Sequence, residues 1–486
     1  VRDQAGRTKR VKKIVYKRTI GRSVTRFIVT AAQNATPVHP KFLAALEQAC
    51  NDKNAELIVI PYRYKNPTSR WTASQANAEE WAVDVRPYLW NTRKRLGQNL
   101  VIAGDIKVQP TATNPLTGFD ALTHSESGIF GHPKLQLKTV AVPQGKLPKI
   151  LTTTGAVTVP NYTDSRAGKL GEFHHTQGAI LVELDGRKVF HMRQLNAHRD
   201  TGMFSDMTTL YGADWSGGKP VRDRRVAALV GGDWHSDATD PQVKRATKEM
   251  CALLKPRYFV LHDLFNGGSV NHHERHNPFW WLAQFKAGRL CVKSEVQRAA
   301  DSLQEVYAWL PDDAKVVVVA SNHDEFLDQW IKHHDWKRDP SNMEFYNQTV
   351  AMQIAHTKYV DGHASTPSAF AYWMRQFLPA QVLERTVLLE RDESFMIEKI
   401  ETGQHGDHGP NGARGSIKNM RRVGVKGVYA HVHSPGIDEG AMCVGTSSFY
   451  RQGYNRGPSS WLQTHGWIYE GGKRTLSNII GGEFHA

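Results

Sequence analysis

The stretch Val226-Ala227-Ala228-Leu229-Val230-Gly231-Gly232-Asp233-Trp234-His235-Ser236 decides the fold. Five apolar residues without polar alternation are the pattern of a strand covered on both faces, and the paired glycines mark where it stops. A carboxylate and an imidazole, Asp233 and His235, follow at once. Two more short apolar runs, at 258–261 and 315–320, lead into His262-Asp263-Leu264-Phe265-Asn266 and Ser321-Asn322-His323-Asp324-Glu325. Helical patterns at 242–254 and 293–310 fall between them. This alternation predicts a largely parallel sheet, and ligand sites in such sheets lie just beyond the carboxyl ends of the strands. All three polar clusters stand at such ends.

Farther on come Gly403-Gln404-His405-Gly406-Asp407-His408-Gly409 and Tyr429-Ala430-His431-Val432-His433-Ser434, the second after an apolar stretch at 424–429 that reads as another strand. If that strand continues, His431 and His433 share a face, because side chains alternate with period two. Spacing alone leaves open whether His405 or His408 turns inward from its glycine-rich loop. In order, these five blocks resemble the calcineurin-like metallophosphoesterases, whose pattern is D-x-H, GD, GNH followed by an acid, a lone His, and GHxH. Three positions depart from it: His262, Ser321 and Ala430 stand where the pattern has glycine. The resemblance implies an α/β fold with a carboxy-terminal β-sandwich flanked by helices. It implies Asp233, His235 and His433 as ligands of one metal and Asn322, His405 and His431 as ligands of the other. Asp263 would bridge both, and His323 would be the non-ligand histidine beside the scissile phosphate.

The residue types suit that chemistry. Two divalent ions roughly 3.5–4 Å apart need a shared carboxylate and neutral imidazoles, and together lower a bridging water's pKa to supply hydroxide for in-line attack on phosphorus. Imidazole and carboxylate donors without cysteine favour manganese, with magnesium, iron or zinc as the other choices. Asp263 and His323 are therefore the expected catalytic groups.

The chain has 486 residues and a formal charge of +15, so its surface attracts polyanions, nucleic acid first among them. Residues 1–25 form a basic arm in which Arg2, Arg7, Lys9, Arg10, Lys12, Lys13, Lys17, Arg18 and Arg22 face Asp3 alone. Strand-like runs at 27–31, 57–60 and 99–103, with helical patterns at 40–51 and 78–96, give a βαβαβ rhythm, and 134–194 reads as β-rich. A separate amino-terminal α/β domain over 26–210, a linker over 211–225 and a metallophosphoesterase domain over 226–486 are expected. No apolar run reaches membrane-spanning length, and a cytoplasmic location is expected. The four cysteines form no CxxC pair and read as reduced thiols.

The block around Asp263 is similar to the GDLFD-type block of SbcD-like DNA repair nucleases, and the added α/β domain gives a similarity to early DNA-degrading proteins of large tailed phages. The expectation is a metal-dependent DNA nuclease hydrolysing phosphodiester bonds, with DNA as partner. The alternatives are a phosphomonoesterase or cyclic-nucleotide phosphodiesterase, and a catalytically silent nucleic-acid-binding protein. His272, His273, Arg275 and Arg414 are candidate phosphate contacts, against the plainer reading that each is solvent-exposed. A homo-oligomer and a protein partner for the amino-terminal domain are further expectations.

Overall fold

In a computed structural model, the structure describes residues 25–69, 80–186, 188–213, 218–274, 276–453 and 455–485. The basic arm up to residue 24, Trp215 of the expected linker and Arg275 lie outside the described residues.

The predicted parallel strands form. Ala228–Val230, Tyr258–Leu261, Lys315–Val318 and Thr386–Leu388 lie side by side and parallel, and Thr464–Ile468 and then Arg474–Asn478 extend the sheet antiparallel beyond Ala228–Val230. Alternate residues point to opposite sides, as the pleat requires. Leu229, Phe259, Leu261, Val316 and Val318 enter a core shared with the helices Pro241–Leu254, Val292–Tyr307, Glu325–His333, Met343–His356 and Ala369–Phe377. Ala228, Val230, Val260 and Val317 enter a second core on the other face. The helix signals are local. Asp240 caps Pro241–Leu254 by accepting from the Gln242 amide at 2.9 Å, and proline takes the first helical position, where its missing N–H costs nothing.

The second core is closed by a ten-stranded sheet in the spatial order Met396–Ile397, Ile400–Glu401, Gly427–Tyr429, Ala441–Cys443, Gly436–Asp438, Gln136–Val140, Lys149–Thr153, Ser127–Phe130, Leu100–Ala103 and Arg93–Leu96. A four-stranded sheet of Glu56–Tyr62, Arg26–Gln33, Gly178–Asp185 and Val189–Asn196 joins the same core through Val29, Ile58, Ile180 and Met192. The fold is thus mixed α/β with several sheets.

Strands from 26–210 also enter the ten-stranded sheet: Gln136–Val140 pairs antiparallel with Gly436–Asp438, with Ile437 opposite Leu137 and Asp438 opposite Gln136. The pattern expected over 26–103 needs correction. Only the first βαβ unit survives as predicted, Arg26–Gln33 and Glu56–Tyr62 being parallel across the helix Pro40–Lys53, while Leu100–Ala103 joins the other sheet. The helix predicted over 78–96 is also not formed among its described residues. Val83–Tyr88 is a single 3-10 segment containing Pro87, and Arg93–Leu96 is a strand paired with Leu100–Ala103. Pro87 has no N–H to continue a helix, and the Trp90 amide instead donates to the Val59 carbonyl at 2.8 Å. No helix among the described residues is long and apolar enough to cross a membrane.

Candidate metal centre

The site lies at the carboxyl ends of three parallel strands, facing the loop after Gly427–Tyr429 in the other sheet. Backbone pairing continues past the strand ends: the Trp234, His235 and Ser236 amides donate to the His262, Asp263 and Leu264 carbonyls at 2.9, 2.7 and 3.1 Å. Four candidate ligands have left-handed backbone, His235 at φ 48°, Asp263 at 48°, His431 at 66° and His433 at 55°. Each such residue costs of order 1–3 kcal/mol and persists only where the surroundings impose it, a condition concentrated at functional sites. Gly232 permits the approach of the opposite loop, since a Cβ there would lie 2.8 Å from the Thr446 carbonyl carbon.

Two groups of side chains share one carboxylate. His235, Asp263 and His433 make one, and Asp233, Asp263 and His405 the other. Asp263 Oδ2 is 3.6 Å from His235 Nε2, and its Oδ1 is 3.4 Å from His405 Nε2. Asp233 reaches both sides, with Oδ2 2.9 Å from His433 Nε2 and Oδ1 3.9 Å from His405 Nδ1. Its Oδ1 also accepts from the His431 amide at 3.2 Å. Asn322 Oδ1 lies 3.1 Å from both His405 Nε2 and His431 Nδ1. Every expected metal ligand is therefore brought to one place.

The electrostatics favour cations. Asp233 and Asp263 are fully buried with imidazoles as their nearest charged-group neighbours, and among the described residues no lysine or arginine pairs with either carboxylate. Burial opposes ionisation of Asp263, yet His405 and then His323 hold it well below the usual carboxylate range. Asp233 is likewise lowered against burial and its neighbour Asp263, through His433 and His405. Burial disfavours charge on His405 too, but Asp263 and Asp233 raise it to about 9. His235 is pushed down to about 3 by burial and by His323. Two fully buried carboxylates are thus met by imidazoles and by no lysine or arginine among the described residues, and the donor set fits divalent metal.

His323 Nδ1 lies 2.8 Å from the Asn266 carbonyl, and its ring sits edge-on to His235 at 4.5 Å between centroids. It borders the site without joining either ligand group. Of the two loop histidines, His405 is buried at the site, whereas His408 faces solvent beside its neighbour Asp407, 3.0 Å away. His272 and His273 are exposed on a 3-10 turn and pack on Phe326, whose ring is 4.6 Å from that of His323. Arg414 is exposed and in neither ligand group; its carbonyl accepts from the Asn419 side chain at 2.7 Å, and its backbone bridges that of His408.

Sequence reading left three contributors unassigned. His262 is fully buried behind the site with its Nδ1 3.5 Å from His405 Nδ1, and burial and then His405 push it down to about 3. Asp324 closes the turn under Asn322 by accepting from the Ser321 amide at 3.0 Å; burial and then Asp263 push it up to about 8. Arg391, beyond the fourth parallel strand, binds Glu325 at 2.7 Å and Asp407 at 3.0 Å and so anchors the His405 loop. Its only sequence signal is its position just past an apolar run.

No family model matches the chain, and no solved structure matches it. Protein A1 of Escherichia phage T5 is 31% identical over 474 residues, an alignment that covers 95% of this chain and 83% of that protein. The expected likeness to a phage protein is met by this relative, whose name carries no activity. At that identity and coverage, the chain belongs to the family of protein A1 of Escherichia phage T5.

Proposed function

We propose that the protein is a phosphoesterase that uses two divalent metal ions, manganese by preference, to hydrolyse phosphodiester bonds in DNA. The observation that carries this reading is Asp263, a buried carboxylate whose two oxygens serve separate groups, one with His235 and His433 and the other with His405 and Asp233. When bound, the ions would lower the pKa of a shared water and neutralise charge developing on the phosphoryl oxygens.

The chain's own residues would hold the ions and the substrate in register. Asp233, His235 and His433 would ligate one ion; Asn322, His405 and His431 the other; Asp263 both. Asp324 and Arg391 fix the loops that carry Asn322 and His405, so that little reorganisation accompanies binding. The Asn266 carbonyl orients the His323 ring through Nδ1, leaving Nε2 to deliver a proton to the leaving oxygen. DNA as substrate is supported by the charge of +15, since a nuclease must hold a polyanion before cutting it.

The test is cleavage of plasmid and linear DNA by the full chain with manganese, magnesium or chelator, beside Asp263→Asn, His323→Ala and a small aryl phosphodiester. Metal-dependent DNA cleavage lost in both variants is expected. Hydrolysis of the aryl ester with DNA left intact would move the substrate to small phosphoesters; no hydrolysis of either would leave a silent binding protein.

A further inference from the structure

A second cavity, of about 530 Å³, lies where 134–199 meets the carboxy-terminal sheets, at the opposite end of the Gly427–Tyr429 strand from His431. Its wall contains six cationic side chains, Lys134, Arg199, Arg421, Lys426, Lys473 and Arg474, and one carboxylate, Glu439. Three of the six have acids nearby. Lys134 pairs with Glu439 at 2.9 Å, and Arg421 with Asp438 at 2.9 Å. Arg199 stands 3.8 Å from Glu172 on the surface.

The remaining three come from two segments. Lys426 precedes Gly427–Tyr429, Lys473 ends the turn after Thr464–Ile468, and Arg474 opens the strand Arg474–Asn478. Among the described residues, none of the three forms an ion pair with a carboxylate. Arg474 donates to the Gly427 and Gly440 carbonyls at 2.6 and 2.8 Å, which fixes its guanidinium without neutralising it. Lys426 lies against Gly440, within 3.7 Å of where a Cβ would be, so it is held to the same wall. Lys473 and Arg474 are half-buried and Lys426 is exposed, so like charges on one wall oppose the empty protein most at Lys473. Burial, then Lys426 and Arg474, lower Lys473 to about 8. A fold that maintains such a cluster without acids has room for an anion with several oxygens, and the volume is that of a small-ligand pocket.

We propose that this cavity binds a phosphate-bearing anion, held by Lys426, Lys473 and Arg474, at a site separate from the metal centre. The shared chemistry is a multiply charged phosphate group. A free nucleotide or polyphosphate and the backbone of a nucleic acid are the two sources.

The probe is inorganic tripolyphosphate, added to the full chain in excess chelator so that metal-dependent binding elsewhere is silenced, with thermal unfolding and calorimetric titration as readouts. Tripolyphosphate is expected to bind and to raise Tm, and Lys426→Met/Lys473→Met is expected to weaken binding at least tenfold. The same double variant without ligand should unfold at or above the wild-type temperature, because removing mutual repulsion relieves the empty cavity; this separates lost binding from lost folding. A 20-base-pair duplex then identifies the source: competition with tripolyphosphate that the double variant loses indicates backbone phosphate, and no competition indicates a free phosphate compound. Wild-type protein that gains no Tm with tripolyphosphate, or a double variant that gains as much, would overturn the proposal.

Discussion

Two buried charged clusters in this molecule differ in how their charges are met. Around Arg193, which is 1% exposed, Asp206 binds Nε and Nη2 at 2.8 and 3.1 Å, Glu183 binds Nη1 at 2.8 Å, and Lys53 adds a 2.8 Å contact to Asp206. Each cation there has an acid. Around Asp263, equally buried, two carboxylates face imidazoles and an asparagine, with no lysine or arginine paired to them among the described residues. Burial of a charge is tolerated when its partners are present, so the first cluster is complete as a structural link and the second is shaped for something added. The cationic cavity at Lys473 is the same imbalance with the sign reversed.

The largest effect that sharpens this comparison is in activity. Asp263→Asn should lower metal-dependent cleavage by on the order of a thousandfold or more, and manganese should raise the Tm of the wild type but not of this variant. A variant that keeps the manganese shift would break the contrast, since the carboxylate would then be structural. Arg193→Met should behave oppositely. It should lose about 3–5 kcal/mol in denaturant unfolding because it strands buried acids, while retaining manganese stabilisation. His323→Ala should reduce turnover by roughly a hundredfold and leave the manganese shift in Tm intact, which places the side chain beside the ligand set rather than in it.

A smaller effect is expected from pH. Burial lowers both His132 and His175 to about 4, against hydrogen bonds to backbone carbonyls that favour the charged ring. His175 Nδ1 lies 2.8 Å from the Tyr162 hydroxyl and Nε2 lies 2.9 Å from the Thr158 carbonyl, contacts that the neutral ring satisfies. The folded pKa being below the unfolded one, stability is complete above about pH 6.5 and declines as pH falls toward 4, by up to about 1.4 kcal/mol per unit for each ring. His175→Gln should flatten this slope in unfolding curves taken at pH 7, 6 and 5. Least of all, Arg414→Ala should change stability by no more than about 0.5 kcal/mol, because the side chain is exposed; a several-fold rise in KM for DNA alone would make it a phosphate contact.

Much of the site was legible because its supports are local. Parallel strands covered on both faces appear as unbroken apolar runs, so Asp233, Asp263 and Asn322 could be placed at strand ends before any contact was known. What failed was long-range or locally ambiguous. The segment over 78–96 has apolar and charged residues spaced well enough to suggest a helix, and strand pairing of Arg93–Leu96 overrode it. The pairing of Ile437 with Leu137 joins residues 300 positions apart, and neither strand carries a mark naming its partner.

The inventory of donors, their order along the chain and the strands that end in them are written in the residues themselves. Which of them meet depends on packing. His405 turns inward because Gly406, at φ 107°, bends the loop while Arg391 holds Asp407 from the neighbouring strand end, leaving His408 outside. Likewise, Lys426 and Lys473 are ordinary surface lysines in the sequence and become one cationic cavity only where two sheets bring their turns together. Local patterns follow from backbone periodicity, but the sharing of a charge between distant residues follows from packing, which no short stretch of sequence contains.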